Sequence, residues 1–198
     1  MLNDIFSGVW LALAVAFVIG STPATQAQSV VGQAPTTRAI KLSPSDRKFL
    51  QEAYERGRFE IGAAQLALEN SSVFAVRLLA QHIAMNRGQI DEQLKALAEM
   101  KGMAALSEQL DSSHRETLER LQEASDDEDF DLRYCGTVVS GHMRDIKALQ
   151  SVAARATDPE FKALVDAITS NLKEHLAVAL AIQRELANAR NEVATIDV

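Results

Sequence analysis

A long stretch without proline most constrains the fold of this chain. No proline lies between Pro44 and Pro159, and along this stretch apolar residues recur every three or four positions, as they do on one face of an α-helix. No alternating pattern of apolar and polar residues, which is typical of β-strands, interrupts it. Aromatic residues make up only 5% of the chain, and Ala, Leu, Glu and Gln, which favour helices, are abundant. The sequence therefore predicts an all-α fold.

Start and stop signals place the first two helices. Ser43 precedes a proline, a combination typical of a helix N-cap followed by the first helical position, so a helix is predicted over 44–70. Ser72 can cap a second helix, predicted over 73–100, which stops at Gly102. The short turn between the two predicts that they pack antiparallel.

The second half of the chain repeats this pattern after a longer connection. Ser113-x-x-Glu116 has the form of a capping box and predicts a short helix inside the connection. A third long helix is predicted from near Glu128 to about Ala156. Asp158 and the proline after it then cap and open a fourth. These elements predict an antiparallel bundle of four main helices, with an extra short helix between the second and the third.

The N-terminus has the features of an export signal. Residues 5–20 form an uncharged apolar run that is too short for a typical membrane span, and a stretch of small polar residues follows it. We therefore predict a signal peptide over 1–27, a flexible leader over 28–42, a bundle domain over 43–190 and a C-terminal tail over 191–198. The mature chain would have no transmembrane segment, and an uncleaved signal would act as an N-terminal anchor.

Charge and cysteine content exclude several classes of function. The chain has 20 Lys plus Arg against 27 Asp plus Glu, a formal net charge of -7, which argues against nucleic acid as a partner. The single cysteine, Cys135, cannot form an intramolecular disulfide, a cysteine zinc site or an iron–sulfur cluster. Phosphate-loop, dinucleotide and serine-hydrolase motifs are absent from the sequence. We therefore do not expect these catalytic chemistries.

Four polar residues interrupt the apolar faces of the four long helices. They are Glu60, Arg87, His142 and His175, and each lies near the middle of its helix. The midpoint between residues 142 and 175 falls at the turn at Asp158. The two histidines should therefore lie at equal height and face each other across an antiparallel pair of helices. A long arginine side chain can likewise reach Glu60 from the second helix. The sequence therefore predicts one polar layer across the middle of the bundle.

Three interpretations of this layer remain open. In the first, which we prefer, Glu60 and Arg87 form a buried ion pair and the histidines bond to each other or to water, which fixes the register of the helices. In the second, His142, His175 and Glu60 bind a transition metal such as zinc, copper or iron. In the third, one or more of the four side chains point outward. Arg87 argues against a metal because a guanidinium cannot act as a ligand and repels a cation.

The motif of diiron-carboxylate enzymes is missing. Those enzymes need Glu-x-x-His on paired helices, and the sequence contains no such spacing. Asp111-x-x-His114 is the nearest match, and we interpret it as a capping pair at the surface. Ferritin-type iron oxidation is therefore not expected.

Four passages resemble one bacterial family, the domain of unknown function 4142. They are LSPSDRKFLQEA, FEIGAAQLALENSSVFAVRLLAQHI, FDLRYCGTVVSGH and DPEFKALVDAITSNLKEHLAVA. The resemblance implies a ferritin-like four-helix bundle in an exported protein, which is periplasmic or associated with the outer membrane. It also implies that Glu60, His142 and His175 occupy positions at which the family carries a Glu on the first helix and a His on the third and fourth.

The sequence departs from the family pattern at two places. Asn86 and Arg87 stand where the family usually has Asp-His on the second helix, and Gly141 replaces an Asp on the third. These changes suggest a degenerate site in which Arg87, paired with Glu60, replaces the charge of a metal. The leading hypothesis is an exported helical module without catalysis, which acts as a binding or structural component with a possible protein partner in the cell envelope. The alternative is a metal-binding or redox protein.

Overall fold

The computed structural model describes residues 41–125 and 129–196, and every regular element among them is a helix. This confirms an all-α helical bundle. The predicted signal peptide over 1–27 and the predicted leader as far as residue 40 lie outside the described residues. The five helices are α1 (Pro44–Asn70), α2 (Phe74–Met100), α3 (Ser112–Glu123), α4 (Phe130–Arg155) and α5 (Pro159–Ile196).

Caps and a glycine turn fix the helix ends that the sequence predicts best. The Ser43 hydroxyl accepts the backbone N–H of Asp46, which makes it the N-cap of α1. An Asp158 carboxylate oxygen accepts the backbone N–H of Phe161 at 2.9 Å at the start of α5. Gly102 has a φ of 66° just after α2, a left-handed conformation that favours glycine and ends the helix.

Two predicted caps are wrong. Helix α2 begins after Val73, which makes no side-chain capping bond, and it is the hydroxyl of Ser71, not that of Ser72, that accepts the Val73 N–H. Helix α3 is capped by Asp111, which accepts the N–H of His114, so the predicted capping box at Ser113 is not used. Asp111 has the β-region backbone of an N-cap, which lets its side chain reach the N–H of His114 in the first turn of α3.

The folded bundle begins before and ends after the bounds that the sequence predicts for it. Leu42, the last residue assigned to the leader, is buried against the core, since an apolar residue just before an N-cap packs onto the helix that follows. Helix α5 continues through 191–196, the stretch assigned to the tail. No glycine or proline follows Pro159 to stop it.

Helix packing places the polar layer between two apolar cores. Helix α1 contacts α2 and α4, and α5 contacts the same two helices. The first core includes Leu50, Tyr54, Leu94 and Phe161, and the second includes Ala64, Leu79, Tyr134 and Ala179. On each of the four long helices the polar residue falls between the two cores. It follows that α1 and α5 run in one direction, and α2 and α4 in the other.

A buried lysine ties the end of α2 to the beginning of α5. Lys101 Nζ lies 2.6 Å from an oxygen of Asp158 and 2.6 Å from an oxygen of Glu160. The Lys101 side chain is only 7% exposed, so these contacts are better shielded than a surface ion pair. The Asp158 carboxylate therefore both caps α5 and anchors it to α2.

Over 41–125 and 129–196, none of the helices combines the length and the apolar character needed to cross a membrane.

Candidate functional site: a polar layer between two cores

An ion pair between α1 and α2 forms one half of the polar layer. Arg87 donates from Nε and from Nη2 to the two carboxylate oxygens of Glu60, each at 2.5 Å. Both side chains are buried. This bidentate geometry is the strongest arrangement of an arginine with a carboxylate. It brings together the two residues for which the sequence analysis considered a buried ion pair.

The pair determines the charge of Glu60. Burial raises the pKa of the Glu60 carboxyl, but attraction to the Arg87 guanidinium and the hydrogen bonds from it outweigh burial and lower the pKa below its ordinary value. Glu60 is therefore ionised at neutral pH and its charge is already neutralised by a guanidinium.

Two histidines form the other half of the layer. Nε2 of His142 lies 3.4 Å from Nδ1 of His175, and the ring centroids are 5.5 Å apart. Nε2 of His142 also lies 3.9 Å from Oε2 of Glu60. The structure thus brings the two histidines face to face, as the sequence predicts, and beside the ion pair.

Asn86 extends the layer toward the surface. Its amide nitrogen lies 3.2 Å from Nε2 of His175 and 3.1 Å from Nε2 of the exposed His82. An amide nitrogen only donates hydrogen bonds, so both Nε2 atoms are acceptors in this arrangement. The proton of His175 then lies on Nδ1, from which it can be donated to His142. A chain of polar groups therefore leads from His82 into the core, and sequence analysis did not predict the role of Asn86 and His82 in it.

Both core histidines are held in the neutral form. Burial lowers the pKa of His142 below its ordinary value, although Glu60 opposes this. Burial and the nearby His142 and Arg87 lower the pKa of His175 to about 4. Neutral imidazoles are the form that can ligate a metal, but they are also the form that a buried hydrogen-bonded pair requires.

The geometry has some features of a metal site. One ligand atom from each of Glu60, His142 and His175 lies within 4.8 Å of the others, a spacing that three ligands about 2 Å from one ion could reach. Two contacts oppose this use. Arg87 holds both oxygens of Glu60, and Asn86 directs the proton of His175 onto the atom that would have to bind the ion.

Comparison with known proteins identifies the family. Residues 31–182 match the family described as a domain of unknown function, DUF4142. The chain belongs to this family. The description of the family assigns it no activity. No curated protein and no solved structure matches the chain.

Two further carboxylates lie beside the layer of this DUF4142 protein. Neither oxygen of Asp91 has a hydrogen-bond partner among the described residues, and the same is true of one oxygen of Asp145. Asp145 faces Arg56 at 3.7 Å. Asp91 fits against Gly57, where an added Cβ would lie 2.3 Å from its Oδ1. Sequence analysis did not predict that either carboxylate would be buried, because an Asp at the edge of an apolar face is usually solvated.

Replacing Asp91 by Asn is expected to stabilise the protein at alkaline pH. Burial raises the pKa of Asp91 to about 6, against the attraction of Arg87. A carboxyl group whose pKa is raised by folding makes a contribution to stability that is fully present below its ordinary pKa. This contribution is lost as the pH rises through 6, the pKa in the folded protein. At pH 8 the Asp91→Asn variant should therefore have a free energy of unfolding about 1–3 kcal/mol above the parent, because an unpaired buried charge is removed.

Urea unfolding at pH 8 and at pH 4 measures this effect. The advantage of Asp91→Asn should shrink toward zero at pH 4, where the carboxyl is protonated. Asp166→Asn is the matched control, since Asp166 is 54% exposed and pairs with the exposed Lys162. A gain of equal size at both pH values would contradict the assignment of an ionised, unpartnered Asp91.

The remaining histidine and the cysteine have structural roles. His114 Nδ1 lies 3.0 Å from an oxygen of Glu55, and the His114 ring stacks on Phe59. The Asp111 side chain accepts the backbone N–H of His114, so the Asp111–His114 pair caps α3 as predicted. These residues also bring Glu55, Asp111 and His114 within 4.8 Å, but their mutual hydrogen bonds account for the cluster. Cys135 is fully buried and its pKa is raised to about 12 by burial, so it packs as a small apolar residue.

Proposed function

We propose that this protein is an exported, ferritin-like helical module that acts by binding in the cell envelope and carries out no catalysis. The observation that carries the proposal is the double hydrogen bond of Arg87 to Glu60. It places a guanidinium in the middle of the bundle, where a ferritin-like protein holds its metal. A fixed cation there supplies the charge balance that a metal would supply.

The helix directions support the ferritin-like part of the proposal. Helices α1 and α5 run opposite to α2 and α4, and the long connection over 101–129 returns the chain between the second and third long helices. A single long crossover of this kind is typical of ferritin-like bundles. The polar layer then has the role of aligning the four helices at one level, because a one-turn slip would leave a charge or an imidazole in an apolar core.

Export and envelope location rest on the N-terminal sequence and on the resemblance stated above. The uncharged run over 5–20 and the small residues after it have the order of a signal peptide. A periplasmic or outer-membrane-associated protein, with an envelope protein as partner, is the corresponding proposal.

A metal-binding or redox function is the second candidate. The observation in its favour is the convergence of Glu60, His142 and His175 within 4.8 Å. To bind an ion, one oxygen of Glu60 would have to leave Arg87, and the amide of Asn86 would have to turn so that its oxygen accepts a proton from His175 Nε2.

Elemental analysis distinguishes the two functions. The protein is purified without a tag, as cells release it, beside the His142→Ala, His175→Ala double variant. We expect only trace zinc, copper and iron in both proteins, and a lower thermal midpoint for the variant. A near-stoichiometric metal that is present in the parent and lost in the variant would establish the second function. The intact mass of the same sample tests export, since a cleaved chain should begin near residue 28.

A further inference from the structure

A cleft lies between α3 and α4, on the outer side of the polar layer. Its volume is about 420 Å³, within the range of small-molecule sites. Its polar lining includes three arginines and four hydroxyl residues, which are Arg120, Arg133, Arg144, Ser113, Thr117, Thr137 and Ser140. No Asp or Glu is among its described lining residues, although acidic residues outnumber basic ones in the whole chain. Arg120 and Arg144 therefore give the described lining of the cleft a positive charge.

Among the described residues, the carboxylates paired with Arg120 and Arg144 lie beyond hydrogen-bond distance. Arg120 Nη1 lies 3.9 Å from Glu116, and Arg144 Nε lies 3.8 Å from Asp145. Both distances exceed a hydrogen bond, and the two side chains are 64% and 70% exposed. Arg120 Nη2 donates to the hydroxyl of Thr117 at 2.9 Å, which holds one guanidinium at the wall of the cleft.

Glycine in the lining leaves space in the cleft along α4. Gly141 lines it, and a Cβ added there would meet nothing within 4 Å. The described lining also includes two apolar side chains, Phe59 and Leu121. The ring of Phe59 stacks on the ring of His114, with the centroids 4.5 Å apart. A cavity of about 20 Å³ shares Gly141 and Phe59 with the cleft and is lined by His142. The cleft is thus the approach from the surface to the polar layer.

We propose that this cleft binds a small soluble molecule that carries a phosphate group. A guanidinium presents several N–H donors in a plane and binds phosphate oxygens in pairs, and hydroxyl groups supply further donors. The apolar side chains of Phe59 and Leu121 face the organic part of the molecule. The proposal does not depend on whether the polar layer holds a metal.

Titration calorimetry with inorganic phosphate tests the proposal on the purified full-length protein. Sodium chloride at matched ionic strength measures the contribution of general screening. We expect phosphate to bind the parent, and the Arg120→Gln, Arg144→Gln double variant to bind at least about 10-fold more weakly, because charge-assisted hydrogen bonds are lost. Arg155→Gln, which removes an exposed arginine of α4 that bonds to the Ser151 carbonyl oxygen, should bind as the parent does.

A second pair of variants separates the site from general charge. Gly141→Leu should block the cleft and abolish binding, whereas Gly141→Ala should leave binding within about twofold, since its single methyl group enters open space. Circular dichroism verifies that each variant is folded. Absence of phosphate binding by the parent, or equal binding by the parent and the double-arginine variant, would overturn the proposal.

Discussion

Arg87→Met and Glu60→Leu are each expected to lower the free energy of unfolding by about 3–5 kcal/mol, because each leaves one uncompensated charge between two apolar cores. The pair is almost wholly buried, with side-chain exposures of 5% and 8%, so water cannot solvate the remaining partner. Urea unfolding at pH 7.5 measures the loss.

The double variant Glu60→Leu, Arg87→Met gives the more informative result. It replaces both charges by apolar side chains, so it should unfold with a free energy within about 1 kcal/mol of the parent. The exposed pair Lys48–Glu52 on α1 is the control. Its side chains are 77% and 43% exposed, so Lys48→Met should cost under about 1 kcal/mol. If the double variant loses the sum of the two single losses, Glu60 and Arg87 act independently and the account of the layer is wrong.

The second large effect is a loss of stability in acid that depends on His175. Its pKa is about 4 in the folded protein, against an ordinary value of 6.5. Between these pH values the unfolded chain binds a proton at His175 that the folded protein does not bind. The contribution of His175 to stability is therefore fully present above pH 6.5 and is lost as the pH is lowered toward 4. At about 1.4 kcal/mol for each pH unit, this amounts to roughly 3 kcal/mol.

Replacing His175 by Gln isolates this contribution from the other titrating groups. The difference in unfolding free energy between the parent and His175→Gln should shift by roughly 3 kcal/mol in favour of the variant as the pH falls from 7 to 4. Cys135→Ala is the control, because a thiol with a pKa of about 12 does not titrate in this range, and its difference from the parent should stay constant. A pH-independent difference for His175→Gln would show that this imidazole is not buried in the neutral form.

The antiparallel pairing of helices made much of the layer predictable. Once the turn at Asp158 is recognised, the heights of His142 and His175 follow from counting residues along two helices. Counting from the turn after α1 does not place Glu60 and Arg87 at equal height, and the length of the arginine side chain makes up the difference. Periodicity and the positions of the turns together therefore indicated which polar residues would meet, because each of them interrupts an apolar face.

Other features depend on how closely the helices approach each other, which the pattern of apolar residues does not specify. Asp91 is buried only because Gly57 on the neighbouring helix leaves room for it. The contact of Asn86 with His175 depends on the rotation of α2 about its own axis, and Asn86 lies at the edge of the apolar face. The cleft with Arg120 and Arg144 exists because the short helix α3 lies beside α4, and its placement follows from caps that local sequence specifies ambiguously.

The most direct test of the central claim is a zinc titration of two proteins, the parent and an Asn86→Asp, Arg87→His variant that restores the pattern implied by the family resemblance. The parent should bind zinc only weakly, because Arg87 occupies the oxygens of Glu60 and Asn86 holds the His175 proton on the ligand atom. The variant removes the cation and gives His175 a carboxylate acceptor, so it should bind about one zinc per chain, at least about 10-fold more tightly. Tight, stoichiometric zinc binding by the parent itself would contradict the claim that Arg87 takes the place of a metal.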